Sequence, residues 1–216
     1  YLKSIYEELV PDEAKKSKEY LEGLNYLSLI QNDRNKIIHW IEYSLNSIKK
    51  DKRKRKSISF SNYLKTLKHD WRKILEERDI SFNISDHLIN ESYEFRGFEM
   101  DLNTVFGNLI NNSIDSFKAL NEVRKKSIEL SIELKDNQIE FIYSDDGVGL
   151  SDVFDNSDDI FLPFTTSKKN RKGENIGTGL GMYLAKNTID DYNGSIDVLV
   201  VEKGFCIKII LPVRNT

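Results

Sequence analysis

Two runs in which apolar and polar residues alternate, Ile128 to Leu134 and Gln138 to Ser144, are separated by the short polar segment Lys135-Asp136-Asn137. A period of two puts successive side chains on opposite faces of a strand, and the residues between the runs suit a hairpin turn. A chain of this kind builds antiparallel sheet with one apolar face, and that face needs a cover. A second alternating pair, Ser195 to Val201 and Phe205 to Leu211, turns at Glu202-Lys203-Gly204, and Ile80 to Ile84 reads as one further strand. The cover comes from segments of helical period. Tyr63, Leu64, Leu67, Trp71, Ile74 and Leu75 mark one helix, Leu102, Val105, Phe106, Leu109, Ile110, Ile114 and Phe117 a second from Asp101 to about Leu120, and a third runs from Leu180 to about Asp191. Helices and mostly antiparallel strands segregate along the chain, which predicts an α+β fold, a two-layer α/β sandwich with helices on one face of the sheet. No internal repeat is visible.

Upstream, from about Asp12 to Lys49, there is no proline and one glycine. Apolar residues fall at Tyr20, Leu24, Leu27, Ile38, Ile41, Leu45 and Ile48, with Gln31 and Arg34 interrupting the series. Spacings of four and three belong to a helix packed lengthwise on a partner, so an antiparallel helix, dimerisation, or both are expected. The run Lys49 to Lys56 follows, seven of its eight residues basic. Repulsion at that density favours a solvated connection. The predicted organisation is a helical, hairpin-like dimerisation segment over residues 1–56 and a second domain over 57–216.

A net charge of -3 gives no whole-chain case for nucleic acid, whose binders usually present a basic face. The single cysteine, Cys206, rules out a disulfide framework and a cysteine metal site, and its apolar neighbours predict a small buried residue. No apolar run approaches the roughly 20 residues of a membrane span. Because the chain opens on Tyr1, it is expected to be a piece of a longer protein, cytoplasmic itself, with any membrane contact made through an upstream region.

Four short stretches carry chemistry. Asn108, Asn111, Asn112 and Asp115 lie four apart in pairs on the second helix, and amides are poor helix formers that an oxygen-liganded cation would justify. Asp145-Asp146-Gly147-Val148-Gly149 follows a strand: the carboxylate can accept a hydrogen bond from an exocyclic amine, while the glycines let a flat ligand approach the backbone. Ile160 to Lys168 sets hydrophobic anchors before the hydroxyls of Thr165, Thr166 and Ser167 and one amine. Gly177-Thr178-Gly179-Leu180-Gly181 opens a helix, where free N–H groups and the positive dipole end suit a phosphate. Each stretch alone is equally readable as a solvated helix face or a plain turn.

In this order, Asn-x-x-x-Asn on a helix, Asp-x-Gly-x-Gly after a strand, Phe-x-Pro-Phe, and Gly-Thr-Gly-Leu-Gly resemble the N, first G, F and second G boxes of the GHKL ATPase superfamily, with the catalytic domain of sensor histidine kinases the nearest likeness. The resemblance covers roughly Ser57 to Val213. It implies a mixed, mostly antiparallel sheet and binding of ATP with Mg2+. By the same resemblance Asn112 ligates the magnesium ion and Asp145 accepts the adenine amino group. Gly147 and Gly149 admit the base, and Phe161 and Phe164 anchor a mobile lid that reaches to about Gly177. Thr165 and Lys168 face the phosphates, as do Gly177, Thr178, Gly179, Leu180 and Gly181 through backbone N–H groups, with Asp115 at the edge of the site. Gyrase-like, MutL-like and chaperone members place a glutamate at the position of Asn108. An amide cannot serve as a general base, so Asn108 favours phosphoryl transfer over hydrolysis and is the candidate catalytic residue.

A kinase also needs a histidine acceptor. His39 sits on the long helix beside Ile38 and is carried as the candidate, although it lacks an acidic neighbour and lies only 69 residues before Asn108. His69-Asp70 has the right dipeptide but falls on a helix of the ATP-binding domain, and His87 lies in a loop. The helix of residues 12–49 therefore fits better as the second helix of a hairpin, with the acceptor upstream. The expected partners are ATP, a response-regulator protein and a second copy of the chain, with no nucleic acid. The alternative is an ATP-switched conformational module or weak ATPase of chaperone or MutL type.

Overall fold

The computed structural model describes residues 2–49, 54–86, 94–120, 124–151, 154, 156–168 and 177–212, with the side chains of all of these but 2–5, 32, 35, 36, 38–49 and 86. The chain opens on helix α1 (Leu2–Leu9), a 3-10 turn (Ala14–Lys16) and the long helix α2 (Lys18–Lys49). The helix expected from residue 12 starts six residues later, because Pro11 and the turn after it break the chain and the Ser17 hydroxyl accepts the Tyr20 N–H at 3.1 Å. Tyr20, the first residue of the predicted seam, is covered by α1: its ring stacks on Tyr6 at 5.4 Å, and Gly23 leaves room for that ring. The side chains of Ile38, Ile41, Leu45 and Ile48, and of His39, lie outside the described ones, as do most of the basic run, His87, and residues 169–176 of the polar segment.

The remaining elements are β1 (Lys56–Ser59), α3 (Phe60–Glu76), β2 (Ile80–Asp86), β3 (Glu94–Gly97), α4 (Glu99–Ala119), β4 (Lys126–Lys135), β5 (Gln138–Asp145), a 3-10 helix (Ser157–Phe161), α5 (Gly181–Asp190), β6 (Ser195–Leu199) and β7 (Phe205–Pro212). The main sheet has the order β2-β4-β5-β7-β6; β2 runs parallel to β4 and every other pair is antiparallel. The mixed, mostly antiparallel α+β sandwich is thus the observed fold. Alternation on β4, β5 and β7 puts Ile128, Leu130, Ile132, Ile139, Phe141, Tyr143, Ile207, Ile209 and Leu211 on one fully buried face. Against it pack α3, α4 and α5, with Phe106 edge-on to Phe141 at 5.4 Å. A small sheet of β1 and β3, which sequence reading does not find, adds Phe95 to this core, 5.7 Å from Phe60.

This packing decides where chemistry can occur. Asp145 ends β5 at an edge of the buried face, and α4 crosses beside it, so residues on one side of α4 meet the end of β5 and the start of α5. No described helix is long and apolar enough to cross a membrane.

Candidate functional site

Helix α4 buries its apolar face and turns a polar edge toward α5. On that edge the Asn108 amide donates to the Thr104 carbonyl at 2.8 Å, which fixes the ring of atoms and leaves Oδ1 facing Gly181. A Cβ at Gly181 would lie 2.7 Å from that oxygen, so the start of α5 abuts Asn108. One turn on, Asn112 Oδ1 accepts a hydrogen bond from the Lys168 ammonium at 2.9 Å, and the same ammonium donates to Asp115 Oδ2 at 2.8 Å. Lys118 donates to the other Asp115 oxygen at 2.8 Å. Burial alone would raise the Asp115 carboxyl, but the two ammonium groups outweigh it and hold the group below the usual carboxylate range.

Asp145 is 7% exposed, and each of its carboxylate oxygens accepts a hydrogen bond. Ser113 donates to its Oδ2 at 2.6 Å, and the Gly147 N–H to its Oδ1 at 2.9 Å. The Tyr143 hydroxyl lies 2.7 Å from Ser113 Oγ. Since Ser113 has one proton and gives it to the carboxylate, Tyr143 donates to Ser113, and the three groups form a directed chain. Burial raises the Asp145 carboxyl, and the hydrogen bonds from Ser113, Gly147 and the Phe205 backbone lower it only in part. Gly147 is required because a Cβ there would overlap Ser116 Oγ, which also accepts the Val148 N–H at 2.9 Å. Asp146 points the other way and is clamped by Arg124, with its Oδ1 accepting the Ser127 N–H at 2.9 Å.

The glycines before α5 form the third wall. Gly179 has φ +65°, and a Cβ on it would lie 2.5 Å from the Thr165 nitrogen. Phe164, with φ +65°, is 44% exposed, whereas Phe161 is buried. A Cβ at Gly177 would lie 2.5 Å from Thr166 Oγ1. Leu180 is buried at the start of α5 and its apolar side chain makes no capping bond, so the first N–H groups of the helix suit an anion.

The structure therefore brings Asn108, Asn112, Asp115, Thr165, Lys168, Gly177, Gly179 and Gly181 together, and places Asp145, Gly147 and Gly149 at the adjoining end of β5. It keeps His69 apart, exposed on α3 and 3.4 Å from Asp70. Ser113, Ser116 and Tyr143, all of which organise the Asp145 corner, are not singled out by sequence. Among the described residues no group of three or more His, Cys, Asp or Glu side chains could hold a metal alone. The donor does fit magnesium: the Asn112 side-chain oxygen already faces a cation, with the Asp115 carboxylate beside it, and a hard ion can take one protein oxygen and complete its shell with phosphate and water.

Residues 97–215 match the family of histidine kinase-, DNA gyrase B-, and HSP90-like ATPases. The autoinducer 2 sensor kinase/phosphatase LuxQ of Vibrio parahaemolyticus is 27% identical over 159 residues, which is 73% of this chain and 18% of that protein. A probable C4-dicarboxylate sensor kinase of Bacillus subtilis is 27% identical over 140 residues, 64% of this chain and 25% of its own length. The chain thus spans a quarter or less of these curated relatives. Among solved structures, the nucleotide-free catalytic domain of the histidine kinase ThkA superposes with a TM-score of 0.58 at 20% identity, covering 74% of this chain and 95% of that one. ThkA in complex with the response regulator TrrA gives 0.61 at 18% identity, over 98% of this chain and 55% of that one, and at such identities the likeness is one of fold.

Proposed function

The chain belongs to the histidine kinase-, DNA gyrase B- and HSP90-like ATPase family, and from that premise we propose that it is the ATP-binding portion of a histidine kinase, passing the γ-phosphoryl group of Mg-ATP to a histidine. In this reading the Asp145 carboxylate accepts the adenine amino group, while Gly147 and Gly149 let the base approach the backbone. The phosphates lie over the N–H groups of Gly177, Thr178, Gly179, Leu180 and Gly181, with Thr165 and Lys168 on the facing segment. Asn112 presents an oxygen to magnesium, and Asp115 stands beside it. Bound magnesium would neutralise charge on the triphosphate.

The reaction asks the protein mainly for positioning and charge neutralisation around a loose transition state. An imidazole nitrogen lone pair forms the N–P bond as the bond from the γ-phosphorus to the bridging oxygen breaks, and ADP leaves. What supports the kinase reading over the hydrolase one is Asn108. Its N–H is committed to the Thr104 carbonyl and its neighbour is the start of α5, so the side chain at this place is an amide that cannot take a proton from water.

The domain plan follows: residues 1–56 dimerise and residues 57–216 bind ATP. Leu21, Tyr26, Leu29, Ile30 and Ile37 of α2 are each at least half exposed, a helical apolar surface that a second copy would cover. A response regulator is the expected recipient of the phosphoryl group, on the cytoplasmic side of a larger protein. His39 is the acceptor candidate within this chain.

Titration with ATP, with and without magnesium, followed by incubation with γ-labelled ATP, tests the reading. Binding that Asp145→Asn abolishes, with acid-labile and base-stable label on the chain or on an added histidine-bearing helical segment, is the expected result. Steady ADP release without label would overturn it in favour of a hydrolase, and nucleotide-dependent association without label in favour of a switch.

A further inference from the structure

Lys168 sits where a metal is expected. Its ammonium lies 2.9 Å from Asn112 Oδ1, the oxygen that would face magnesium, and 2.8 Å from Asp115 Oδ2 beside it. The side chain is held in place along its length. Its Cδ is 3.5 Å from where a Gly177 Cβ would stand, and its own N–H donates to Thr166 Oγ1 at 3.2 Å. Asp115 is in turn oriented by Lys118. An ammonium and a magnesium ion cannot share Asn112 Oδ1, because two like charges would lie within about 4 Å of each other, at a cost of several kcal/mol in a partly desolvated site.

We propose that Lys168 is a resident substitute for the metal, held on Asn112 by Asp115, and that Asp115 is a positioning residue for this ammonium instead of a metal ligand. The inference rests on the nucleotide reading given above and specifies how the site responds to magnesium. Without the metal, the triphosphate meets the Lys168 ammonium beside Asn112. When magnesium arrives with the nucleotide, it takes the Asn112 oxygen, and Asp115 retains the lysine at the flank of the phosphates. The consequence is a site that binds ATP appreciably without metal, and in which the metal's contribution to affinity is smaller than a site lacking the lysine would show.

Calorimetric titration of the whole chain with ATP, in excess EDTA and in excess magnesium chloride, measures this directly. Lys168→Met keeps the packed stem and removes the charge. It is expected to weaken metal-free ATP binding roughly tenfold, the worth of one charge-assisted hydrogen bond to phosphate, and to weaken Mg-ATP binding by no more than about threefold. Asp115→Asn should reproduce the metal-free loss, and the double variant should be no weaker than Lys168→Met alone, since the two residues act as one unit. An unchanged ratio of metal-free to metal-bound affinity in Lys168→Met overturns the proposal. So do additive losses in the double variant, which would mean that Asp115 acts on the metal by itself. Failure of the unaltered chain to bind ATP, or binding indifferent to Asp145→Asn, removes the nucleotide reading and this inference with it; intact, Asp145-dependent binding with an unchanged ratio removes the inference alone.

Discussion

Gly204, in the turn between β6 and β7, lies so close to the Asp145 carbonyl that a Cβ at 204 would overlap that oxygen. Its φ of +75° independently excludes most side chains. Gly149, at φ +79°, presses on Gly204 from the other side, with its Cβ position 2.7 Å from the Gly204 oxygen. The turn thus sets the backbone of the corner from which Asp145 projects. Gly204→Ala is expected to cost about 2 kcal/mol or more of stability, combining steric overlap with left-handed strain. ATP affinity should fall with it, and urea denaturation with ATP calorimetry on the same sample checks both. A stable variant that binds ATP normally would show that the turn does not set the Asp145 corner.

Ser113 is 1% exposed and links Tyr143 to Asp145. Ser113→Ala leaves a buried tyrosine hydroxyl without an acceptor and a buried carboxylate with one donor fewer, so a loss of about 1–2 kcal/mol is expected. The pH dependence follows from the sign of the shift. Burial raises the folded Asp145 carboxyl above its ordinary value of 3.8, so between 3.8 and the raised value the folded chain holds a proton that the unfolded chain has released. Through that window stability falls as pH rises. Losing Ser113, a donor that lowers the value, extends the window to higher pH. The acid side of the ATP-affinity profile should move the same way, because adenine recognition needs the carboxylate. Unfolding midpoints and ATP titrations from neutral to mildly acidic pH measure both limbs.

The Asp145 corner also shows where sequence reading succeeds and where it stops. The β4–β5 hairpin was legible because alternation and turn chemistry agree, and Asp136 and Asn137 do adopt φ +49° and +62°. The apolar faces of α3 and α4 were legible for the same reason, since one period fixes one face. Strand β3 was not, for Glu94-Phe95-Arg96-Gly97 has a single deeply buried apolar side chain and pairs with a strand far back in the chain, Lys56 opposite Gly97 and Ser59 opposite Glu94. The motif residues of the site declare themselves by spacing, whereas Ser113 and Tyr143 act only because α4 passes the end of β5. Lys168 offered an amine with an evident partner in phosphate. Its actual partners, 56 and 53 residues back on α4, are visible only in the fold.

Tyr192 joins the end of α5 to the start of α4. Its hydroxyl donates to the buried Asp101 carboxylate at 2.6 Å and accepts the Phe98 N–H at 3.0 Å, while Arg55 lies 4.2 Å over its ring. Arg55 also donates to the Asp191 backbone and side chain, both at 3.1 Å, so the last part of the basic run is fastened to the domain. Tyr192→Phe removes a charge-assisted hydrogen bond from a buried carboxylate and is expected to cost about 2 kcal/mol. Arg55→Ala should cost about 1 kcal/mol, and Arg55→Lys should recover little of it, because an ammonium cannot both stack on the ring and reach two oxygens. None of these groups touches the ATP site, so ATP affinity should stay within about twofold of the unaltered chain in the folded variants. Thermal unfolding paired with calorimetry tells stability from binding.

Asn108 offers the sharpest test of reaction class. Asn108→Asp preserves size, so Gly181 still fits against the side chain. The substitution does remove the hydrogen bond to the Thr104 carbonyl and sets a carboxylate beside that carbonyl and the phosphates. A kinase loses twice from this exchange, through repulsion of the triphosphate and through a side chain that no longer holds its rotamer. Histidine phosphorylation is therefore expected to fall by about 10²-fold or more. A carboxylate is also a group that can take a proton from water, with general-base assistance worth about 10²–10⁴ when it is well placed. The ratio of ADP released to phosphohistidine formed should consequently rise in the variant, even as total turnover drops. Following both products of γ-labelled ATP in one time course gives that ratio, and a value equal to that of the unaltered chain would mean that residue 108 does not choose between imidazole and water.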